Sequence, residues 1–203
     1  MTIVEKAKSK YESREKQNSE IIQAAIKVFT DMNYDVGTMA MIAKEVGISE
    51  AMLYKHFDSK KTLFITCFQE ILSDLMHRYK ECYKRNLDNP LGYLEDSAVE
   101  YLRYIKESTN GSKFMVHILS KIRDEDLKKP FISFFQDSID TVKKALDLAK
   151  EKGDISKKAN TELIAWEYVG HYYSIILARE MDSAPLLDEN VLRSMVRGMF
   201  QRS

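Results

Sequence analysis

The residues best suited to chemistry form a short polar run around position 56. Tyr54 and His56 carry polar tips that suit phosphate oxygens, and Lys60 and Lys61 follow directly after Ser59. Ser59 is predicted to cap a long helix, so both lysines fall in its first turn, where each cation costs about 0.3 to 1 kcal/mol against the helix dipole. A bound phosphate would reverse the sign, because free N–H groups, the dipole and the lysines all attract it. The alternative is a solvated lysine pair that tolerates a small penalty.

Two short helices are predicted immediately before this run. Thr38 is placed to cap the first, and Gly47 to end it with a positive φ. Ser49 is placed to cap the second. Two short helices around a glycine turn are typical of a helix-turn-helix, whose second helix enters the DNA major groove. Helix-glycine-helix corners also occur widely in all-helical proteins, so the spacing alone leaves a purely structural corner open.

The whole chain is predicted to be helical. It has 203 residues with only 7 glycines and 3 prolines, about half the usual share, so few turns are available. Apolar residues recur at helical spacing, and no segment alternates convincingly with period two. We predict an all-α fold of nine helices, a three-helix N-terminal head followed by a larger helical body. The expected spans are 13–32, 38–46, 49–56, 59–85, 90–109, 112–122, 130–152, 160–182 and 188–201.

The charge balance excludes DNA binding through bulk charge. The chain has 31 basic and 31 acidic residues and a formal net charge of zero, whereas domains that coat nucleic acid usually have a pI above about 9. Any nucleic-acid function must therefore come from locally placed groups. Lys6, Lys8, Lys10 and Arg14 form a candidate N-terminal arm along the DNA backbone or minor groove, and the alternative is a frayed tail.

No enzyme activity, cofactor or metal is expected. The 4 histidines lack H-E-x-x-H spacing, and the chain has no C-x-x-C, G-x-S-x-G or phosphate-binding glycine loop. Cys67 and Cys82 fall in one predicted helix about 22 Å apart, too far for a disulfide, which fits a reducing compartment. Without a secretory signal or a long uncharged apolar stretch, the protein is predicted to be cytoplasmic and to have no membrane partner.

A set of residues between Ile21 and Phe64 carries a family resemblance. It comprises Ala24-Ala25, Phe29, Tyr34-Asp35, Thr38, Ile42-Ala43, Val46-Gly47-Ile48-Ser49, Leu53-Tyr54, His56-Phe57, Ser59-Lys60 and Leu63. This stretch resembles the DNA-binding domain of the tetracycline-repressor (TetR) family of bacterial transcription regulators. The rest of the chain resembles the family only in being helical and of the right size. The resemblance implies a helix-turn-helix DNA-binding domain at residues 1–58 and an effector-binding and dimerisation domain at 59–203.

The resemblance also implies roles for single residues. Thr38 and Tyr54 would contact DNA phosphates, His56 would support the same contact, and Lys60 would reach phosphate from the start of the fourth helix. The residues expected to face the bases are Ser49, Glu50, Ala51, Met52 and Lys55.

Glu50 and Met52 depart from the small or polar pattern that is commoner in the family. Glu50 could accept a hydrogen bond from cytosine N4, and Ala51 or Met52 could touch a thymine methyl group. The alternative for Glu50 is compensation of the helix dipole at a solvated edge.

The body is predicted to hold an effector pocket. In the resembling family an effector bound among the central helices changes the spacing of two heads, and a 100-fold loss of DNA affinity needs only about 2.8 kcal/mol. Large aromatic, methionine and histidine side chains suit a hydrophobic or aromatic effector. The alternative is that most of them are core, and that the histidine is structural. The candidates are Met76, Tyr79, Tyr83, Tyr101, Tyr104, Phe114, His117, Phe131, Phe134, Phe135, Trp166 and Tyr172.

Two C-terminal helices are predicted to form a dimer interface. Gly170, Ser174 and Ala178 recur every fourth residue and leave a shallow stripe where another helix can approach. The last helix has an apolar face. A two-fold four-helix interface, also implied by the resemblance, would use both, and the alternative is packing within the chain. The residues of that face expected in the interface are Val191, Leu192, Met195 and Met199.

Together these features predict an effector-responsive, sequence-specific DNA-binding transcriptional regulator. The expected form is a homodimeric repressor, released from a palindromic operator in double-stranded DNA when a hydrophobic small molecule binds the C-terminal domain. The alternative is a helical ligand-binding or interaction module without DNA binding.

Overall fold

The structure, a computed structural model, describes residues 3–125, 127–182 and 184–201. These residues form nine α-helices and one short 3₁₀ helix, Ala184–Leu187, without a strand, so the all-α prediction is confirmed. Within the same ranges, no helix has the length and apolarity needed to cross a membrane. The helices are α1 (Ile3–Val36), α2 (Met39–Val46), α3 (Glu50–His56), α4 (Lys60–Arg85), α5 (Pro90–Glu107), α6 (Thr109–Lys121), α7 (Lys128–Lys152), α8 (Thr161–Glu180) and α9 (Glu189–Phe200).

The chain divides into two compact units. The N-terminal unit is Met1–Ile71 and the C-terminal unit is Leu72–Ser203. The boundary between the units therefore lies inside α4. The functional division between residues 58 and 59, at the start of the same helix, stays a prediction.

The short helices of the N-terminal unit begin and end at the residues that the sequence indicates. Thr38, Ser49 and Ser59 each accept a hydrogen bond from the backbone N–H three residues later, at 3.2, 3.2 and 3.0 Å. Gly47 has φ 82°, the left-handed conformation that glycine adopts without steric cost. The three helix starts and the turn between α2 and α3 thus follow from local chemistry.

The helix α1 differs from its prediction, because it is longer at both ends. Near its C-terminal end, Asn33 has φ 60° and ψ 171° and interrupts the helix. The Asn33 side-chain oxygen accepts hydrogen bonds from the N–H groups of Asp35 and Val36, at 2.9 and 3.3 Å. Asn33 therefore forms a break within α1, after which a last helical turn begins.

The core of the N-terminal unit joins α1, α2, α3 and α4. Phe29 and Phe64 meet edge to face with ring centroids 5.1 Å apart, and Tyr34 packs against Phe64 at 4.7 Å. The apolar residues with no exposed surface in this unit come from all four helices: Ile21, Ala25, Phe29, Ile42, Leu53, Leu63, Phe64 and Cys67.

The C-terminal unit is built around α5, α7 and α8. The helices α7 and α8 pack along each other, and α5 packs against α7, α8 and α9. The buried Tyr168 hydroxyl on α8 donates to the Leu94 carbonyl on α5, at 2.6 Å. Two paired ion bridges fix α9 on α5, with N···O distances of 2.7 to 2.9 Å: Arg103 with Glu189 and Arg197 with Glu95.

Candidate nucleic-acid interface and effector cavity

The second helix of the helix-turn-helix, α3, has one buried face and one free face. Leu53 is completely buried and anchors the helix in the unit, whereas Met52 and Tyr54 expose 38% and 47% of their surface. The other side chains of the free face are also exposed, so the polar ones can form hydrogen bonds with the edge of a base pair. They are Ser49, Glu50, Ala51 and Lys55, so all the residues predicted to face bases lie at the surface.

Lys60 is held in position at the start of α4. Its ammonium group donates to the Asp35 backbone carbonyl at 3.3 Å and lies 4.6 Å from the centre of the Tyr34 ring. A cation above an aromatic ring at this distance is stabilised by about 0.5 to 1 kcal/mol when exposed. Lys60 and Lys61 are both partly buried. Contacts with the C-terminal end of α1 therefore orient the Lys60 charge. A merely solvated lysine would lack these contacts.

His56 ties the end of α3 to α1. Its ring nitrogen Nδ1 lies 2.6 Å from the Asn18 side-chain oxygen, which accepts the Nδ1 proton. Burial, followed by the positive charge of Arg14, lowers the pKa of His56 below its ordinary value. The neutral ring then has Nε2 as an acceptor, and an acceptor cannot donate to a phosphate oxygen. His56 thus suits a supporting role, with the phosphate contact left to its neighbours.

The candidate N-terminal arm lies largely outside the described side chains. The backbone of this segment belongs to α1, but the side chains of Lys6, Lys8 and Lys10 lie outside the part described. Arg14 is exposed. The DNA contact of this arm stays a prediction, as do the contacts of Thr38 and the other candidates.

The C-terminal unit contains a cavity of about 260 Å³ among α4, α5, α6, α7 and α8. Six of the predicted pocket residues line it. They are Met76, Tyr79, Tyr101, Phe134, Phe135 and Tyr172. Three further tyrosines that the sequence did not single out also line it, namely Tyr93, Tyr168 and Tyr173. We call this space the tyrosine cavity.

The tyrosine rings of this cavity form a continuous cluster. Tyr172 lies at its centre, with ring centroids 4.4 Å from Tyr101, 5.4 Å from Tyr168 and 6.4 Å from Tyr79. Burial raises the pKa of Tyr101 and Tyr168 well above the ordinary tyrosine value. Burial also raises the pKa of Tyr172 to about 12. The cluster is therefore uncharged at neutral pH.

The other predicted pocket residues have different surroundings. Phe114 and Phe131 are completely buried in the core, and Tyr104 is buried with the Arg78 guanidinium 5.6 Å from its ring centre. Tyr83 lines a separate cavity beside Leu148. His117 on α6 is partly buried. Ligand contact by these five stays a prediction.

An open groove lies next to the tyrosine cavity. It has a volume of about 280 Å³, and its lining includes Trp166 and Gly170, so we call it the Trp166 groove. Phe135, Val169 and Tyr173 line both spaces. The two spaces therefore share a wall of three side chains.

The predicted dimer residues divide into exposed and buried ones. Gly170 and Val191 are exposed, and Ser174 and Met195 are partly exposed. The remaining three are packed inside the chain, so intrachain contacts already account for their burial: Ala178, Leu192 and Met199. Interface contact by any of the seven stays a prediction.

Large apolar residues are exposed on α8 and directly after its last residue, and all of them except Trp166 are absent from the predicted sites. Leu163, Trp166, Leu177 and Met181 each expose more than half of their surface. Leu163, Gly170 and Leu177 follow one another at intervals of seven residues, the repeat of helices that pack lengthwise. This repeat could have identified the surface in the sequence. We call these exposed residues the exposed apolar stripe of α8.

Comparison with known proteins agrees with this geometry. Residues 21–67 match the family model described as bacterial regulatory proteins, tetR family. The biofilm operon icaADBC HTH-type negative transcriptional regulator IcaR of Staphylococcus aureus is 30% identical over 128 residues, which cover 58% of this chain and 69% of that protein. The chain belongs to the TetR family.

Two further similarities cover different shares of this TetR-family protein. The HTH-type transcriptional activator FasR of Mycolicibacterium smegmatis is 30% identical over 76 residues, or 37% of this chain and 35% of FasR. The solved structure of the transcriptional regulator FadR from Bacillus subtilis, in complex with stearoyl-CoA, has a TM-score of 0.73 at 16% identity and covers 90% of this chain and 97% of FadR. The nine-helix architecture is thus that of TetR-family structures.

Proposed function

We propose that this TetR-family protein is an effector-responsive repressor of transcription. It binds a palindromic operator through α3 and dissociates when a hydrophobic small molecule occupies the tyrosine cavity. The observation that carries the proposal is the free face of α3, which follows a capped α2 and a left-handed glycine and presents six exposed side chains, while Lys60 is oriented at the start of α4.

Repression is favoured over activation by the similarity to IcaR. That protein is named as a negative regulator, and its similarity covers more of both chains than the similarity to the activator FasR does. The direction of regulation is tested by measuring whether the bound protein lowers or raises transcription from its operator.

The effector role of the tyrosine cavity rests on its position and lining. It is enclosed by five helices, one of which, α4, also begins with Lys60 in the N-terminal unit. FadR, which has the same fold, is described with stearoyl-CoA bound. Ligand entry that moves α4 would change the position of Lys60, and a ligand shifts this equilibrium only by its differential affinity for the two states.

Dimerisation is proposed because one short helix reads too few bases for an operator. The exposed apolar stripe of α8 supplies the surface, since contiguous apolar patches on a protein surface mark interaction sites. Two copies related by a two-fold axis would place two α3 helices against two half-sites.

The test is binding of the full chain to duplex DNA, first selected from a random pool and then measured by fluorescence anisotropy. Tyr54→Ala should weaken binding about tenfold or more, because it removes a charge-assisted hydrogen bond to phosphate in each half-site. The control is Leu87→Ala, since Leu87 is a large side chain that exposes 63% of its surface in the C-terminal unit. A folded dimer that selects no duplex would refute the regulator function and favour an interaction module.

A further inference from the structure

The lining of the tyrosine cavity is unbalanced in charge. Eight of its eighteen residues are aromatic, and the only charged side chain among the described lining residues is Asp137. No lysine, arginine or histidine belongs to that lining. The cavity therefore offers a ligand aromatic faces and a carboxylate, but no basic partner.

These groups lie in a definite order from the opening inward. Asp137 and Thr141 on α7 are exposed, as is Met76 on α4, so they belong to the opening. Tyr101 and Tyr168 expose only 2% and 1% of their surface and belong to the deep end. A ligand of matching shape has its charged group at the opening and its apolar body among the rings.

The sign of the favoured charge follows from simple electrostatics. A carboxylate at the opening would lose part of its water and lie beside the like charge of Asp137, and no cation in the described lining offsets this, so its binding is disfavoured. An ammonium group gains attraction from the negative faces of the aromatic rings and from the Asp137 carboxylate. The buried rings cannot reverse this preference, because the tyrosines are uncharged.

Two buried hydroxyls of the lining add a polar requirement. Tyr79 Oη and Tyr173 Oη are buried and have no hydrogen-bond partner among the described residues. A buried hydroxyl without a partner is costly, and an N–H or O–H group of the ligand can supply the missing bond.

We propose that the tyrosine cavity binds a lipophilic cation, an amine or quaternary ammonium compound with an aliphatic or aromatic body and its charge beside Asp137. This inference rests on the proposed function, in which the cavity is the effector site. It separates this chain from an acyl carboxylate or acyl-CoA receptor, which needs a basic group for its anionic end.

Three compounds of matched size and different charge test the inference. Phenylhexylammonium, phenylhexanoate and phenylhexanol are titrated into the full-length protein by calorimetry at neutral pH. The ammonium should bind at least about tenfold more tightly than the carboxylate, with the alcohol between them. Asp137→Asn should reduce the ratio of ammonium affinity to carboxylate affinity about fivefold.

The matched control is Asp140→Asn, which removes the same charge from the same helix at a residue outside the cavity lining. That variant should keep the wild-type ratio. Equal or tighter binding of the carboxylate, or binding of none of the three compounds, would overturn the inference. An unchanged ratio in Asp137→Asn would also overturn it.

The operator complex separates this inference from the proposed function. Ammonium binding that releases the protein from DNA supports both. Ammonium binding that leaves DNA affinity unchanged supports the cation site and refutes the effector role of the cavity. Tighter carboxylate binding that releases DNA supports the effector role and refutes the cation site.

Discussion

The charge of Lys60 should determine part of the salt dependence of DNA binding. The perturbation is Lys60→Gln, which removes the positive charge and keeps most of the side-chain length. The wild-type ammonium is held by the Asp35 carbonyl and the Tyr34 ring, so it has less conformational freedom to lose when a phosphate arrives. We expect this oriented charge to neutralise one phosphate in each half-site.

The magnitude follows from counterion release. Each neutralised phosphate contributes about 0.9 to the slope of log K against log salt concentration, so two copies contribute about 1.8. Between about 50 and 200 mM salt, the wild-type protein should lose roughly 12-fold more affinity than the variant. The variant also loses the contact with Tyr34, about 0.5 to 1 kcal/mol, which is small against a typical stability of about 5 to 15 kcal/mol.

The assay is fluorescence anisotropy with one operator duplex across a salt series. Lys80→Gln is the control, because Lys80 is an exposed lysine on the same helix, about 30 Å further along. It should keep the wild-type slope. An unchanged slope in Lys60→Gln, or a change in its base preference, would refute the phosphate contact.

Three further predictions concern single residues. Gly47→Ala should lower the free energy of unfolding by about 1 kcal/mol in urea denaturation, because the φ of this residue is 82° and no atom crowds an added Cβ. Gly47→Asn should lower the free energy of unfolding by less, because asparagine tolerates this conformation. Burial lowers the pKa of His171 in the folded protein. As the pH falls below about 6.5, the unfolded chain therefore binds this proton before the folded protein does, and the free energy of unfolding should decrease. The decrease should be smaller in His171→Leu. Glu50→Ala should change base preference at one operator position, measured by selection from a duplex pool.

Each of these predictions has a contradicting result. Equal stabilities of the two Gly47 variants would show that the left-handed backbone does not set the cost. A His171→Leu protein with the full wild-type decrease in stability at low pH would assign that decrease to other groups. An unchanged base preference in Glu50→Ala would assign Glu50 to compensation of the helix dipole.

The N-terminal helix starts were predictable because their causes are local. A serine or threonine that accepts a backbone N–H, and a glycine that adopts a positive φ, act within four residues of the chain, so the sequence contains the whole interaction. The extension of α1 toward Ile3 had no such signal, since the residues of that segment show no apolar period in the sequence. The contact of His56 with Asn18 joins positions 38 residues apart and has no local signature either.

The tyrosine cavity was only partly predictable. The helix α8 is apolar around most of its circumference, so periodicity does not indicate which side faces the cavity, and Tyr168 and Tyr173 were missed. Phe114 and Phe131 show the opposite problem, because an aromatic side chain that fills the core has the same sequence signature as one that lines a pocket. Which residues meet across α5, α7 and α8 depends on tertiary packing.

The wall that the tyrosine cavity shares with the Trp166 groove has a thermodynamic consequence. The wall is one side chain thick. Its residues Phe135, Val169 and Tyr173 line the tyrosine cavity on one side and the Trp166 groove on the other. A ligand that displaces them inward or outward changes the surface beside the exposed stripe of α8. In the proposed dimer, effector affinity and self-association would then be linked equilibria, and the measured effector affinity would depend on the concentration of the protein itself.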